Sequence, residues 1–391
     1  MKFTFTLLFF VIFLSSCSGS PETEQTPSGN LTDVTHPTPE NNPSDDEVAD
    51  ILVIGKHQQE KFSMIKDQLR NIEEYTSIGN FEGKGQEMFG RIEDVAIDSR
   101  NRIFLLDSGR QIVGVFTVEG EYLATLGGRG QGPGEFERAL SMTKVKDQWL
   151  LVGNVFRIEA FDISGEIEFK ESVQLQRPVN DLCAIGDTLY VHSIGFTDDD
   201  EVSEENYRHM IHAYSLQSFD HLYSFGQSYK STNPFVIDRM SIGSLGCNEA
   251  SNMVVFAFER MNVIQGYSAD NGSLEWVTRI DDFNLPAITE SIRDGRPAMS
   301  YGIPQSGIMD IISAPVAFDK EYMILQVLRS TPGSATNRMY HTFVLNSANG
   351  TGSYLSDEIP EISDYFNNYI VSRGVTQDLM ISQIYRVISE Q

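Results

Sequence analysis

Beyond Arg91 the chain alternates short apolar runs with brief polar interruptions. Residues 92–97 and 102–106 flank the quartet Asp98-Ser99-Arg100-Asn101, and residues 112–118 and 122–126 flank Glu119-Gly120. The runs are rich in β-branched and aromatic side chains, and Asn, Asp and Gly stand where the chain must turn back. That is the pattern of antiparallel hairpins. It returns one unit later. Residues 149–152 answer 103–106, and Phe161-Asp162-Ile163-Ser164-Gly165-Glu166 answers Phe116-Thr117-Val118-Glu119-Gly120-Glu121, a step of 161 − 116 = 45 residues. Four strands in such a unit is the spacing of a propeller blade.

Looser copies run to the end of the chain. A third unit carries residues 189–192 and 211–216, a fourth 253–257 and 263–268 with the turn Asp270-Asn271-Gly272, and a fifth 322–327 and 340–345 with Asn349-Gly350. The sixth has three candidate strands, 359–365, 369–372 and 379–387. Its missing strand is supplied by residues 74–78, so that one blade is built from both ends and the ring has no open edge. The expectation is an all-β, six-bladed β-propeller of four-stranded antiparallel blades over residues 48–391, closed by an N-terminal strand joining the C-terminal blade.

Between the first two units lies Gly127-Gly128-Arg129-Gly130-Gln131-Gly132-Pro133-Gly134-Glu135-Phe136. Glycine tolerates positive φ and close approach, and Pro133 has no N–H for a ladder, so this run is a tight connector, with Phe136 placed to plug a core. A relative stands upstream, Gly83-Lys84-Gly85-Gln86-Glu87-Met88-Phe89, at 128 − 83 = 45 residues. With Ile103-Phe104-Leu105-Leu106-Asp107 between them, these connectors resemble those of bacterial six-bladed β-propeller lipoproteins related to NHL-repeat and TolB-like propellers. The resemblance is strong over residues 72–170 and rests on pattern alone beyond. It implies fold and an envelope location, since members mostly lack an assigned activity.

The N-terminus reads differently. Lys2 precedes an apolar run, residues 3–14, followed by Ser15-Ser16-Cys17. The run is too short to span a bilayer and reads as the apolar region of a signal peptide over residues 1–16. Leu14-Ser15-Ser16-Cys17 resembles a lipobox, which implies acylation of Cys17; the alternative is an ordinary secretory signal. Residues 18–47 hold Glu22, Glu24, Asp33, Glu40, Asp45, Asp46 and Glu47 and no Lys or Arg. Together with the abundant Pro, Ser, Thr and Asn, this marks 17–47 as a disordered acidic tether behind the lipidated cysteine. The expected location is a bacterial envelope, lipid-anchored, with the outer membrane as the destination.

A net charge of −26 argues against nucleic acid and against a basic membrane-binding face. Cys183 and Cys247 fall late in the first strands of adjacent units; buried free thiols are the expectation, and a disulfide is conceivable in an oxidising compartment. No cofactor motif is present, and no metal is expected. His57, His192, His209, His212, His221 and His341 lack metal-binding spacing, and Asp198-Asp199-Asp200-Glu201 lacks the glycine of a calcium loop, so a channel-bound calcium has no motif behind it.

Strand alternation places the turns between first and second, and third and fourth, strands on one face of the disc, and these are short. The other face receives every long segment: 127–137, 196–209, 226–240, 281–310 and 330–337. Long loops on a rigid scaffold carry function. The 281–310 insertion reads as a short helix followed by a lid, or as a cover for the outer rim. On the same face, second strands exit at Arg110, Arg157, Arg260, Arg329 and Arg373, with His192 in the third blade, and Arg129 lies in the first connector. A ring of guanidiniums suits a carboxylate or phosphate; alternatively each arginine braces the ring against an acid such as Asp107 or Glu259. The functional expectation is a binding module for an anionic glycan or peptide, or for a protein partner, through the long-loop face. The alternative is a hydrolase or lyase acting on a sugar or lactone at the channel, for which no catalytic residue is nameable.

Overall fold

A computed structural model describes residues 34–35, 51–56, 62–79, 85, 88–195, 208–293, 296–302, 304, 306–331, 338–376 and 379–388. Cys17, the signal peptide, most of the tether and the acidic loop at 198–201 lie outside them.

Six blades follow one another in chain order. Blade 1 is Ile92–Ile97, Arg102–Asp107, Ile112–Thr117 and Tyr122–Gly127. Blade 2 runs from Ala139–Val145 to Glu168–Gln174, blade 3 from Asp181–Ile185 to His221–Gln227, and blade 4 from Gly243–Asn248 to Leu274–Ile280. Blade 5 starts at Met309–Ile312 and ends at Gly352–Ser356. Each sheet is antiparallel in sequence order from its innermost strand outward. Blade 6 takes Asp364–Phe366, Tyr369–Ser372 and Ser382–Val387 from the end of the chain and Ile72–Ile78 from its beginning, pairing antiparallel with Ser382–Val387. The predicted closure is therefore present.

The repeat unit also repeats a defect. In each of the first five blades the pairing of third and fourth strands slips by a residue beside an aromatic side chain: Phe116, Phe161, Tyr214, Tyr267 and Phe343. A bulge raises local twist, which lets flat blades splay as they leave the axis. Six hydrophobic clusters fill the seams between neighbouring blades. Phe136 is fully buried in the seam of blades 1 and 2, as its place in the connector predicts.

Four expectations change. The first concerns the cysteines, which form a disulfide, Cys183–Cys247, joining the innermost strands of blades 3 and 4 with their Cα atoms 5.7 Å apart. Adjacent innermost strands converge at the axis, and the two register positions face each other there. Closing a loop of 64 residues restricts the unfolded chain, so reduction is expected to remove about 2–4 kcal/mol. Urea titrations with and without reductant check this; equal midpoints would show that the bond contributes nothing.

Second, the insertion after blade 4 is a hairpin, Ala287–Arg293 with Arg296–Gly302, rather than a helix. Val34–Thr35, within the expected tether, pairs with its first strand. Third, Ile359 and Ile362 do not extend a strand but bury themselves in the seam of blades 5 and 6. The Gln326 side chain takes over the ladder there, with Oε1 accepting from Ile362 N at 2.7 Å and Nε2 donating to Pro360 O at 2.8 Å. Fourth, Leu379–Met380 leaves the last long strand and pairs with Val375–Thr376.

The N-terminal segment straps the outside of the ring. Ile51–Ile54 pairs in parallel with Leu274–Ile280 as a fifth strand of blade 4, burying Ile54. Lys56 then reaches Asp357 of blade 5 at 3.1 Å. Helix α1 (Ser63–Arg70) buries Ile65 and Leu69, one turn apart on one face, in the seam of blades 5 and 6.

Candidate functional site

A central cavity of about 620 Å³ is lined from all six blades. Innermost strands supply Asp94, Ser141, Asp181 and Ser244, and second-strand ends supply His192 and Leu328. The connection between blades 3 and 4 adds Phe235, Asp238 and Arg239 from helix α2 (Pro234–Met240). This helix starts where Asn233 Oδ1 accepts from Phe235 N at 3.1 Å, with Pro234 in its first turn, a cap the Asn-Pro pair announces. The cavity thus lies on the face that carries the long segments.

Three acids of the inner ring, two of them on the cavity wall, follow a rule. Asp94, Asp181 and Asp364 occupy innermost strands, and in each one oxygen accepts the N–H of the next residue at 2.8 Å. The other oxygen reaches across to an innermost strand of the neighbouring blade: Met142 N at 2.7 Å, Leu245 N at 2.8 Å and Ile97 N at 2.8 Å respectively. Ser141 Oγ adds a bond to Asp181 at 2.5 Å, linking blades 2 and 3. These carboxylates clamp the inner ring. The signal was legible as a polar residue followed by Asp at the head of an apolar strand: Glu93-Asp94-Val95, Asn180-Asp181-Leu182, Ser363-Asp364-Tyr365.

Burial pushes the Asp94 carboxyl up to about 7, with the like charge of Asp181 adding to the effect. Burial also raises Asp181 and Asp364. A carboxyl raised above its unfolded value binds its proton more tightly in the folded state. Its contribution to stability is therefore complete below about pH 4 and is lost as pH rises through about 7. The stability advantage of the native chain over Asp94→Asn should shrink across that window. Thermal unfolding at stepped pH measures it, and a pH-independent difference would show that Asp94 titrates normally.

Of the residues expected to bind a ligand, the structure brings two to the cavity, His192 and Arg373. The ring of arginines becomes a set of braces. Arg373 contacts Glu361 at 2.9 Å; burial works against its charge, and Glu361 more than restores it. Arg329 holds Asp310 through Nε and Nη2, both at 2.8 Å. Arg157 meets the buried Glu159 at 3.3 Å and donates to Gln131 O at 2.9 Å. Arg260 pairs with Glu259 at 3.0 Å and lies 4.7 Å over the Tyr301 ring of the hairpin. Arg110 donates to Met88 O and Arg129 to Gly109 O. Asp107, one of the acids named for the bracing alternative, instead caps the backbone N–H groups of Gly90, Arg91 and Arg110. The cause is the acid excess of the chain: nearly every second-strand exit that offers a guanidinium also offers a carboxylate or carbonyl within reach. The cavity wall consequently holds Glu93, Asp94, Asp181, Asp238 and Glu259 against Arg239 and Arg373.

His192 is buried, and its Nε2 lies 3.1 Å from Ser241 O. Burial lowers its pKa to about 4, so the ring is neutral. The carbonyl only accepts, which places the proton on Nε2 and leaves Nδ1 a bare acceptor. No partner meets Nδ1 among the described residues. The same residues contain no group of three or more His, Cys, Asp or Glu arranged to hold a metal ion.

Residues 39–232 match the family DUF5128, described as a 6-bladed beta-propeller. No curated protein matches the chain. Among solved structures, a protein of Bacteroides fragilis named as a candidate exported protein aligns with a TM-score of 0.52 at 11% identity, over 87% of this chain and 100% of its own. A DUF4221 member from Bacteroides vulgatus aligns with a TM-score of 0.52 at 10% identity, over 82% and 99%. At such identities the likeness speaks for the fold. Blade count, ring closure and these matches agree that the chain is a six-bladed β-propeller.

Proposed function

We propose that the protein is an envelope binding module, held to a bacterial membrane through a lipid on Cys17, that takes its ligand into the central cavity of the long-loop face. The observation that carries this reading is the cavity itself. About 620 Å³, walled by all six blades and mixing apolar groups with a few convergent polar ones, falls in the range of small-molecule sites. The Cys183–Cys247 bond supports export to an oxidising compartment. An acid-rich wall favours a ligand rich in hydrogen-bond donors over the anionic glycan or peptide that the arginines alone suggest.

A thermal-shift panel on the purified protein tests it, with acidic, neutral and amino sugars, polyamines, short peptides of both charges, and calcium. A ligand of the folded state raises stability by RT ln(1 + [L]/Kd), about 2.7 kcal/mol at a hundredfold excess over Kd. The expected result is a shift from at least one small molecule that disappears in Ser244→Phe, which fills the cavity from the innermost strand of blade 4. A panel without shifts, or shifts untouched by Ser244→Phe, would remove the cavity from the function.

A further inference from the structure

We infer that the cavity recognises a small organic ammonium compound, with Asp94 and Asp181 facing its charge and His192 Nδ1 accepting one of its hydrogen bonds. This rests on the binding reading above and names its ligand class.

The wall is short of positive charge at one place. Glu93 is matched by Arg91 at 2.9 Å, Asp238 by Arg208 at 3.3 Å and Glu259 by Arg260 at 3.0 Å. Asp94 and Asp181 have no such counter-ion among the described residues. Their partners are backbone N–H groups and the Ser141 hydroxyl. Arg373, the cation each of them feels, is committed to Glu361. Two carboxylates on one cavity wall, repelling each other and lacking a counter-ion among the described residues, favour a cation beside them.

His192 is the second, independent sign. A ring 1% exposed, on the same wall, has one nitrogen spent on Ser241 O and the other without a partner. A buried acceptor left unmade is costly, and a donor from the ligand repairs it.

The kind of cation follows from the donor set. Calcium takes about six to eight oxygen ligands, and the described residues offer no cluster of three metal-ligating side chains. An ammonium carries N–H donors that carboxylates such as Asp94 and Asp181 accept, and a donor elsewhere on the same molecule can meet His192 Nδ1, so the three groups need not converge on one atom. Ser141, Asn180, Ser244 and Ser313 elsewhere on the wall suit hydroxyl groups on the same molecule. Amino sugars and hydroxylated amines combine these features, and a lysine-bearing peptide carries the same ammonium.

Calorimetric titration of the purified protein separates the cases, using glucosamine, putrescine, a lysine tripeptide, N-acetylglucosamine and glucuronate. Glucosamine is expected to bind at least about tenfold more tightly than N-acetylglucosamine, in which an acetyl group caps the amine and removes its charge. Binding by glucosamine and putrescine without the tripeptide identifies a free small amine; binding by all three identifies the ammonium group whatever carries it. Asp181→Asn should weaken glucosamine by about tenfold or more. Should that variant not fold, the native protein supplies a second readout: affinity for putrescine, whose ammonium groups stay charged across the range, rises with pH through about 7, with proton release on binding below it, as Asp94 ionises. Equal binding of glucosamine and N-acetylglucosamine, preference for glucuronate, no binding by any amine, or an affinity flat in pH would each overturn the inference. The first two leave the binding reading standing; a panel-wide silence in the thermal-shift experiment removes both.

Discussion

Phe136→Ala is expected to cost about 3–5 kcal/mol, enough to lower the thermal midpoint by several degrees. The ring is fully buried where blades 1 and 2 meet, touching the cluster of Phe104, Leu106, Val113 and Val152, and standing edge-on to Phe161 with centroids 6.1 Å apart. Its backbone is held as firmly: Phe136 N donates to Gly128 O at 2.8 Å and Gly130 N to Phe136 O at 3.1 Å. The connector cannot follow a shrunken side chain inward, so the void persists. Gly127 makes the companion case. It has φ +79, and a Cβ there would run into the Phe136 ring. Gly127→Ala should therefore be severe in the native chain and milder once Phe136 is alanine. Urea unfolding of the two single variants and the double measures the coupling. A loss under about 1 kcal/mol for Phe136→Ala would mean that the seam closes without its plug.

Arg329→Ala should cost a comparable amount, about 3–5 kcal/mol, for a different reason. Asp310 is wholly buried as a side chain, and Arg329 is its counter-ion, with Asn284 donating to it through N and Nδ2, both at 2.8 Å. Removing the guanidinium strands a charge that the two amide donors compensate only in part. Adding Asp310→Asn removes the stranded charge and should recover much of the loss, while ligand response at the central cavity stays unchanged in both. If Arg329→Ala instead abolished a ligand-induced shift without lowering stability, the arginine would be a binding residue and its bracing role would fall.

These residues also show what the sequence makes visible. Local signals were strong wherever the chain's own neighbours decide the structure. The turn at Asp98-Ser99-Arg100-Asn101, with Asn101 at φ 57, and the hairpins of blades 1 and 2 are set by residues a few positions apart. Blade 6 was legible because three strands need a fourth and residues 74–78 supplied one of the right kind. What escaped depends on positions brought together across the ring. Cys183 and Cys247 are bonded because innermost strands of successive blades converge, which spacing alone does not reveal. Ile359 and Ile362 look like strand residues until Gln326, in another strand, offers their backbone a substitute partner. The arginines at the strand exits were visible in the sequence, but their partners Asp310 and Glu361 come from separate strands and connections. Arg329 and Arg373 therefore read as available until the fold pairs them. The cavity acids are the reverse case. The Asp that heads an innermost strand recurs visibly, yet only the ring shows that two of the three face the same space.

The outer strap has a mechanical meaning. Ile51–Ile54 lies alongside Leu274–Ile280 in parallel, four register pairs from Val277↔Ile51 to Ile280↔Ile54. A pull along this strand from the residues ahead of Ile51 loads those hydrogen bonds in shear, all together, instead of peeling them singly. Behind the strand stand the Lys56–Asp357 contact and helix α1, and only then the closing strand Ile72–Ile78. The piece that holds the circle shut is thus the last in line to feel tension arriving through the N-terminal chain. Load arriving from that side therefore meets the outside of blades 4 and 5 before it meets the ring and its central cavity.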